Sequence, residues 1–226
     1  MVGAIRVVLV ARATRADTDN ERRLVRRRAR LKTPPGEMRA MDFSQIFDGG
    51  HRYQEYLAAF GTPEHQRRWA EVEGCVALTD PQRSLLGGFE REMRVLCVAG
   101  AWCGDCVNQC PIFLHFENAS SRIQVRYVDR DDTRLLPEPP RLCGGTRVPQ
   151  VIFLSEEGDF VGHYGDRTLA KYRQMASQQL GPSCPSGLAP PPEDLLVAVV
   201  QDWLNEFERI QLLLRTSPRL REKHAD

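Results

Sequence analysis

The sequence predicts an α/β protein: a mixed sheet flanked by helices, with an N-terminal helical extension and an extra C-terminal helix. The central part alternates between apolar runs at 95–99 and 123–128 and a helical segment at 103–117. Two further apolar runs flank a Glu-Glu-Gly turn typical of a β-hairpin, and a helix over 167–180 follows. Strands that alternate with helices in this way form a sheet with helices packed on its faces.

The composition is that of an ordinary soluble globular protein. The 226 residues are 42% hydrophobic and 27% charged, with a net charge of +1. No apolar run approaches the roughly 20 residues that span a bilayer, and no export signal is convincing. The seven cysteines show no regular framework spacing. The missing export signal and the irregular cysteine spacing favour a reducing compartment. We therefore expect a cytoplasmic protein that binds neither membrane nor nucleic acid.

Charge and composition shifts divide the chain. Residues 1–40 carry 11 basic and 4 acidic side chains without interleaved aromatics, which is more typical of a disordered tail than of a nucleic-acid-binding arm. We also hypothesise that the native protein starts at Met41. The expected organisation is a basic leader (1–40), a helical extension (41–93), the central domain (94–181), a Pro-rich linker (182–192), and an amphipathic helix with a basic tail (193–226) packed on the same domain.

Both additions show helical periodicity. Residues 43–93 are expected to form three short helices, because Thr62-Pro63 and Asp80-Pro81 are start signals that place proline in the first helical turn. Apolar residues keep helical spacing from 195 to 214 for about five turns. Such an apolar face is more often packed against its own domain than left free to bind a partner.

The motif that carries chemistry is Trp102-Cys103-Gly104-Asp105-Cys106, which follows the apolar run at 95–99. Two cysteines three residues apart in the first turn of a helix can bring their sulfurs close enough to bridge. The free N–H groups and the dipole at that helix end favour a thiolate on the first cysteine. This arrangement suits thiol–disulfide exchange.

From residue 95 to 180, about 40% of the chain, the sequence resembles the thioredoxin family. Pro111 stands where that family's active-site helix carries a kinking proline, five residues after Cys106. Val148-Pro149, some 43 residues beyond Cys106, matches the pair whose peptide bond is cis in the family. A bare Cys-x-x-Cys also occurs in zinc sites, but the preceding Trp and the distant Val-Pro make the match specific.

The resemblance implies a thiol–disulfide oxidoreductase that needs no cofactor beyond its own redox-active disulfide. Cys103 would attack the substrate disulfide and Cys106 would resolve the mixed disulfide. Val148 and Pro149 would bind an extended substrate segment, and Trp102 would shield the sulfurs. Gly104 and Asp105 would tune the pair. The expected partners are protein or low-molecular-weight disulfides, and a reductase or thiol donor.

The sequence departs from the reducing members of that family at two positions. Their buried Asp, six residues before the first cysteine, is Cys97 here, and the partnering Lys is Val125. Asp105 is a possible substitute proton acceptor, and its charge would also oppose a thiolate on Cys103. Two nearby cysteines, Cys110 and Cys143, are possible extra thiols, although small buried cysteines are common in protein cores.

Two other functions stay open at this point. A non-catalytic thioredoxin-fold binding module would use the helical additions as its working surface, but it would need neither Cys103 nor Cys106. A zinc site would need four ligands, for which Cys103, Cys106, Cys110 and Cys143 are available. Contact with Pro149 would crowd a metal there, and the cysteine spacing is not that of a familiar structural zinc site.

Overall fold

The computed structural model describes residues 42–180 and 194–225. The predicted basic leader, the hypothetical start at Met41 and the Pro-rich linker with Cys184 lie outside the described residues. The described residues belong to one compact unit. No helix within them is long and apolar enough to cross a bilayer.

A four-stranded mixed sheet forms the centre, as the sequence predicts. Its strands are β1 (Met93–Ala99), β2 (Ile123–Asp129), β3 (Gln150–Leu154) and β4 (Phe160–Gly165), in the spatial order β2-β1-β3-β4. β1 pairs with β2 in parallel and with β3 antiparallel, and β3 pairs antiparallel with β4. The central strands β1 and β3 are almost fully buried, which explains why both read as uninterrupted apolar runs.

The N-terminal extension contains four helices, not the predicted three. They are α1 (Phe43–Gly49), α2 (Tyr53–Phe60), α3 (Pro63–Cys75) and α4 (Asp80–Gly87). The expected first helix is divided because the chain turns extended at Gly50, and His51 pairs its backbone with Tyr127 at the sheet edge. Apolar periodicity alone does not show this interruption.

Two helices complete the predicted core fold. α5 (Gly104–Ala119) connects β1 to its parallel neighbour β2, and α6 (Leu169–Leu180) follows β4. Gly158 makes the turn between β3 and β4 at φ +83°, a conformation that favours glycine. A Cβ at this position would overlap the side chain of Ser44, so the hairpin lies close against α1.

The extension packs on the sheet through aromatic side chains. Tyr53, Tyr56 and Trp69 are buried and surround Tyr127 of β2, with ring centroids 5.5 to 6.4 Å from the Tyr127 ring. Aromatic pairs at these separations add stability beyond the apolar area that they bury. The extension is therefore part of the hydrophobic core.

The C-terminal residues form a long helix α7 (Leu195–Thr216) and a short helix α8 (Pro218–His224), where the sequence predicts one helix and a basic tail. The first ends because Ser217 caps the next helix and Pro218 occupies its first turn. α7 buries Trp203 and Phe207 against α5 and β3, with Phe207 centred 5.2 Å from Phe153.

Candidate active site

The Cys-x-x-Cys motif lies at the carboxyl end of the central strand. After Ala99 the chain makes a tight turn in which the Cys103 N–H donates to the Gly100 carbonyl at 2.9 Å. Cys103 caps α5, and its carbonyl accepts the first helical hydrogen bond from Val107. A Cβ on Gly100 would lie 2.9 Å from the Trp102 indole, so glycine lets Trp102 fold back over the turn.

The two cysteines of the motif differ in exposure. The Cys103 side chain is partly exposed, whereas Cys106 is fully buried. The Gly100 N–H donates to the Cys106 sulfur at 3.4 Å, and the two thiols of the motif lie close enough to shift each other's pKa. All six cysteines in the described part of the chain are free thiols. The pair therefore has one sulfur within reach of a substrate and one behind it.

The interaction between the Cys103 and Cys106 thiols sets the pKa values of both. The hydrogen bond to Cys106, followed by burial, raises the pKa of Cys103 far above its ordinary value. Burial also raises the pKa of Cys106, but hydrogen bonds from Cys103, Cys110 and the Gly100 N–H outweigh it and lower that pKa to about 5. Because each thiol shifts the pKa of the other, they titrate as a unit whose first thiolate forms well below an ordinary thiol pKa.

The Val148-Pro149 segment lies against this pair. Its peptide bond is cis, and the Cys103 thiol donates to the Val148 carbonyl at 3.5 Å. The buried Gln150 side chain anchors the preceding loop, because its amide donates to the carbonyls of Pro140 at 2.6 Å and Arg147 at 2.7 Å. The fold thus brings together the two segments that the sequence assigned to one site.

Gly165 lets the end of β4 approach this segment closely. Its φ is +133°, and a Cβ there would overlap the Pro149 carbonyl oxygen. Any other residue would therefore push the cis-proline segment away from β4. Nothing in the residue pattern indicates this role, since Gly165 stands at the end of a predicted strand where glycine is common.

Trp102 forms the exposed rim of the site. It is 46% exposed, and the Arg130 guanidinium lies 4.7 Å from its ring centre, a cation–π contact. Gly104 stands at the first position of α5, where a Cβ would meet no atom within 4 Å. The surface next to Cys103 is therefore formed by the Trp102 ring, which stacks on the Arg130 guanidinium, and by Gly104, which leaves open space.

Asp105 is ion-paired. Its carboxylate lies 2.6 Å from the Arg167 guanidinium, and both side chains are mostly buried. From the sequence alone Arg167 would be expected to be solvated, and that prediction is wrong, because the loop before α6 folds back onto the start of α5. The pairing reduces the repulsion that Asp105 exerts on a thiolate at the motif.

Its place just before a predicted helix makes Asp166 a candidate cap for α6, but that prediction is wrong, because Asp166 instead joins the surrounding elements. It accepts from Tyr172 and lies 3.3 Å from both Arg147 and Arg167. Burial raises the pKa of Asp166, but the Tyr172 hydrogen bond and the two arginines outweigh this and lower it. The N-terminal N–H of Ala170 in α6 is instead satisfied by Asp202 of α7, at 2.7 Å.

The N-terminal extension supplies two contacts at the site that sequence reasoning missed. The buried Trp69 indole N–H donates to the Ala101 carbonyl at 2.9 Å, directly before Trp102. The Tyr56 hydroxyl donates to Asp129 at 3.1 Å, where β2 ends beside the motif. Helical periodicity places both aromatic residues on the apolar faces of their helices, but it does not identify a hydrogen-bond partner far along the chain.

The extra cysteines divide into two groups. Cys97 and Cys110 are fully buried with their sulfurs 3.7 Å apart, and Cys110 also shares a hydrogen bond with Cys106. Cys143 is exposed in a turn closed by Leu142 and Gly145, with φ of 49°, and forms no hydrogen bond to the motif. The structure therefore brings Cys110 to the motif but does not bring Cys143 into this cluster.

The zinc hypothesis requires four cysteines around one point. Among the described residues, the group of three or more potential ligands with atoms within 4.8 Å of one another is Glu156, Glu157 and His224. The four cysteines Cys103, Cys106, Cys110 and Cys143 do not form such a group.

The mixed sheet, the Cys-x-x-Cys at the end of its central strand and the facing cis-proline segment define the thioredoxin-like class. A family model described as thioredoxin matches residues 50–178, which is more than half of the chain. The chain belongs to the thioredoxin family. The match begins at Gly50, so it includes three of the four helices of the N-terminal extension.

Two solved structures share this fold. A crystal structure of a protein of unknown function from Pseudomonas aeruginosa is 17% identical and covers 75% of this chain and 96% of its own, with a TM-score of 0.56. An HIV epitope scaffold is also 17% identical, covering 78% of this chain and 99% of its own, with a TM-score of 0.51. No curated protein matches the sequence.

Proposed function

We propose that this protein is a cytoplasmic thiol–disulfide oxidoreductase that reduces protein or small-molecule disulfides. One observation carries the proposal: a partly exposed thiol at a helix N-terminus donates to the Val148 carbonyl at 3.5 Å, with the second thiol of the motif buried behind it. A binding module would need neither cysteine. Thiol–disulfide exchange needs an accessible sulfur that can attack the substrate and a second sulfur that can resolve the mixed disulfide, and Cys103 and Cys106 supply these two.

The reaction follows from the geometry of the pair. The dithiol loses one of its two thiol protons, and when the remaining proton is on Cys106 the thiolate is on Cys103, which becomes the nucleophile. Cys103 attacks one substrate sulfur, the substrate disulfide breaks, and the first substrate thiol leaves. Cys106 then attacks the Cys103 sulfur and releases the second substrate thiol. Two electrons pass to the substrate, and the Cys103–Cys106 disulfide remains.

Trp102, Val148 and Pro149 are the proposed substrate contacts. The exposed ring of Trp102 offers an apolar surface beside Cys103, and the Val148 backbone lies within reach of a substrate segment bound there. Continued turnover needs a thiol donor or a reductase, because each substrate disulfide that is reduced takes two electrons from the protein's thiols.

The test is disulfide reduction by the full chain, with dithiothreitol as donor and oxidised glutathione or a disulfide-bonded protein as substrate. We expect Cys103→Ser to abolish turnover and Cys106→Ser to accumulate a mixed disulfide detectable by intact mass. Cys75→Ser, which changes an exposed thiol at the end of α3, is the matched control and should keep the parental rate. If neither motif cysteine exchanges in the folded protein, the binding-module function takes the place of this one.

A further inference from the structure

Behind the exposed thiol, four cysteines follow one another into the core. We call Cys103, Cys106, Cys110 and Cys97 the thiol row. Cys103 is partly exposed and the other three are fully buried. Neighbours in the row interact: the Cys97 and Cys110 sulfurs lie 3.7 Å apart, and Cys106 shifts the pKa of both Cys103 and Cys110.

The inner two thiols are close to disulfide geometry. A disulfide needs the sulfurs at about 2 Å, so the Cys97 and Cys110 sulfurs must approach by less than about 2 Å. They are held by different elements, the central strand β1 and helix α5. Pro111 follows Cys110 and has no backbone N–H, so α5 lacks one helical hydrogen bond in the turn that carries Cys106 and Cys110.

From this arrangement we propose that Cys97 and Cys110 are a second, internal redox pair, oxidised through the active-site pair and not by solvent. The inference rests on the proposed function, because the oxidising equivalents come from the substrate disulfide. The fully reduced protein would then reduce two substrate disulfides, not one, before it needs a donor.

The transfer is two successive thiol–disulfide exchanges. After one turnover the Cys103–Cys106 disulfide is attacked by Cys110, which bonds to Cys106 and releases Cys103 as the thiol. Cys97 then attacks the Cys110 sulfur, forms the Cys97–Cys110 disulfide and releases Cys106 as the thiol. Each attacking thiol loses the proton that its leaving sulfur gains. No external electron enters, and the motif is again a dithiol.

Burial explains why the inner pair depends on the motif. Burial raises the pKa of both Cys97 and Cys110, so their thiolates are scarce and neither thiol is accessible to an oxidant in solution. Within the thiol row, Cys106 lies between the partly exposed Cys103 and the inner pair of Cys97 and Cys110, so oxidation must pass through it. Internal exchange is therefore expected to be slower than turnover at the motif.

The test counts disulfides in a chain in which Cys75, Cys143 and Cys184 are serine, so that only the thiol row remains. The fully reduced protein is equilibrated anaerobically with mixtures of oxidised and reduced glutathione, quenched with acid, alkylated and weighed. We expect two disulfides at the oxidising end, with Cys97 and Cys110 linked in the peptide map. Cys97→Val should stop at one disulfide, and Cys103→Ser should prevent the inner disulfide as well.

The outcomes separate the two proposals. If only Cys103–Cys106 forms at every glutathione ratio, the inner pair is structural and this inference is overturned, while the proposed function stands. If Cys97–Cys110 forms as fast in the Cys103→Ser variant as in its parent, the oxidation does not pass through the motif, which also overturns it. If neither disulfide forms, the proposed function itself fails.

Discussion

At the residue scale, the charges next to the motif set how strongly the pair holds its thiolate. Asp105 immediately follows Gly104 and raises the pKa of Cys106 through its charge, while Arg167 lies 2.6 Å from that carboxylate. A protein environment that stabilises the thiolate stabilises the dithiol form and makes the disulfide a stronger oxidant. The Asp105–Arg167 pair is therefore expected to tune the reduction potential without contacting the substrate.

We predict that Asp105→Asn and Arg167→Gln act in opposite directions. Asp105→Asn removes a negative charge, so the first thiolate should form below the parental pKa of about 5 and the disulfide should be more oxidising. Arg167→Gln leaves Asp105 unpaired, so that pKa should rise by about 1 unit and the disulfide should be more reducing. Thiolate ultraviolet absorbance against pH and a glutathione redox titration measure the two effects.

The control for this pair is Asp159→Asn. Asp159, on the β3–β4 hairpin at the other end of the sheet, forms a more exposed ion pair with Arg219 at 2.5 Å. Its loss should leave both the thiolate pKa and the reduction potential unchanged. Shifts of Asp105→Asn and Arg167→Gln in the same direction would contradict a charge effect.

At the element scale, the helical extension holds the turn that presents the motif. Trp69 of α3 donates to the Ala101 carbonyl, and Ala101 is buried two residues before Cys103. A buried carbonyl that loses its donor costs about 1–3 kcal/mol. The extension therefore contributes a positioning residue to the site as well as apolar area to the core.

We predict that Trp69→Phe lowers both stability and turnover. The free energy of unfolding should fall by about 1–3 kcal/mol because the Ala101 carbonyl loses its donor. The rate of disulfide reduction per folded molecule should fall as well, because the turn before Cys103 is released. Chemical denaturation and steady-state kinetics at a temperature where the variant is fully folded are the measurements.

Trp203→Phe provides the comparison. Trp203 is also fully buried and donates its indole N–H to a buried acceptor, the Gln109 side chain, at 2.9 Å. Trp203→Phe should therefore lower the free energy of unfolding by a similar amount while leaving the turn at Ala101 intact. Equal activity losses in the two variants would show that Trp69 acts only through stability.

At the scale of the whole molecule, the C-terminal helix is an integral part of the core. Phe207 is fully buried and packs against Phe113, Phe116 and Phe153, which come from α5 and β3. The helix thus covers the face of the sheet behind the motif helix. Its N-terminal half also supplies Asp202, which satisfies the start of α6.

We predict that Phe207→Ala destabilises the protein by about 3–5 kcal/mol, because truncating a buried aromatic ring leaves a cavity. Leu212→Ala on the same helix removes a side chain that is 56% exposed and should change stability by no more than about 0.5 kcal/mol. Urea unfolding followed by circular dichroism measures both. Similar small effects would mean that α7 is not needed for the core.

The sequence was sufficient for the fold but only partly for the site. Apolar runs and helix start signals predicted β1, β2, α5 and the hairpin, because strand and helix periodicities differ and buried strands are uniformly apolar. The interruption at Gly50 and His51 was missed, since it depends on a backbone pairing with Tyr127.

Contacts distant in sequence were the main omission at the site. The pairing of Asp105 with Arg167, 62 positions away, and the bond from Trp69 to Ala101 need the tertiary fold. The clustering of Cys97 with Cys110 likewise depends on how α5 packs on β1. Residue type and spacing identified the cysteines, but only packing shows which of them meet.

The placement of the three tryptophans gives the molecule an optical signal of its own. Trp69 and Trp203 are fully buried, whereas Trp102 is 46% exposed and adjacent to Cys103. A disulfide quenches a neighbouring indole more strongly than a dithiol does, so Trp102 emission should rise when the pair is reduced. A soluble quencher should reach Trp102 before the other two. Fluorescence can therefore follow the redox state of the unlabelled protein in real time.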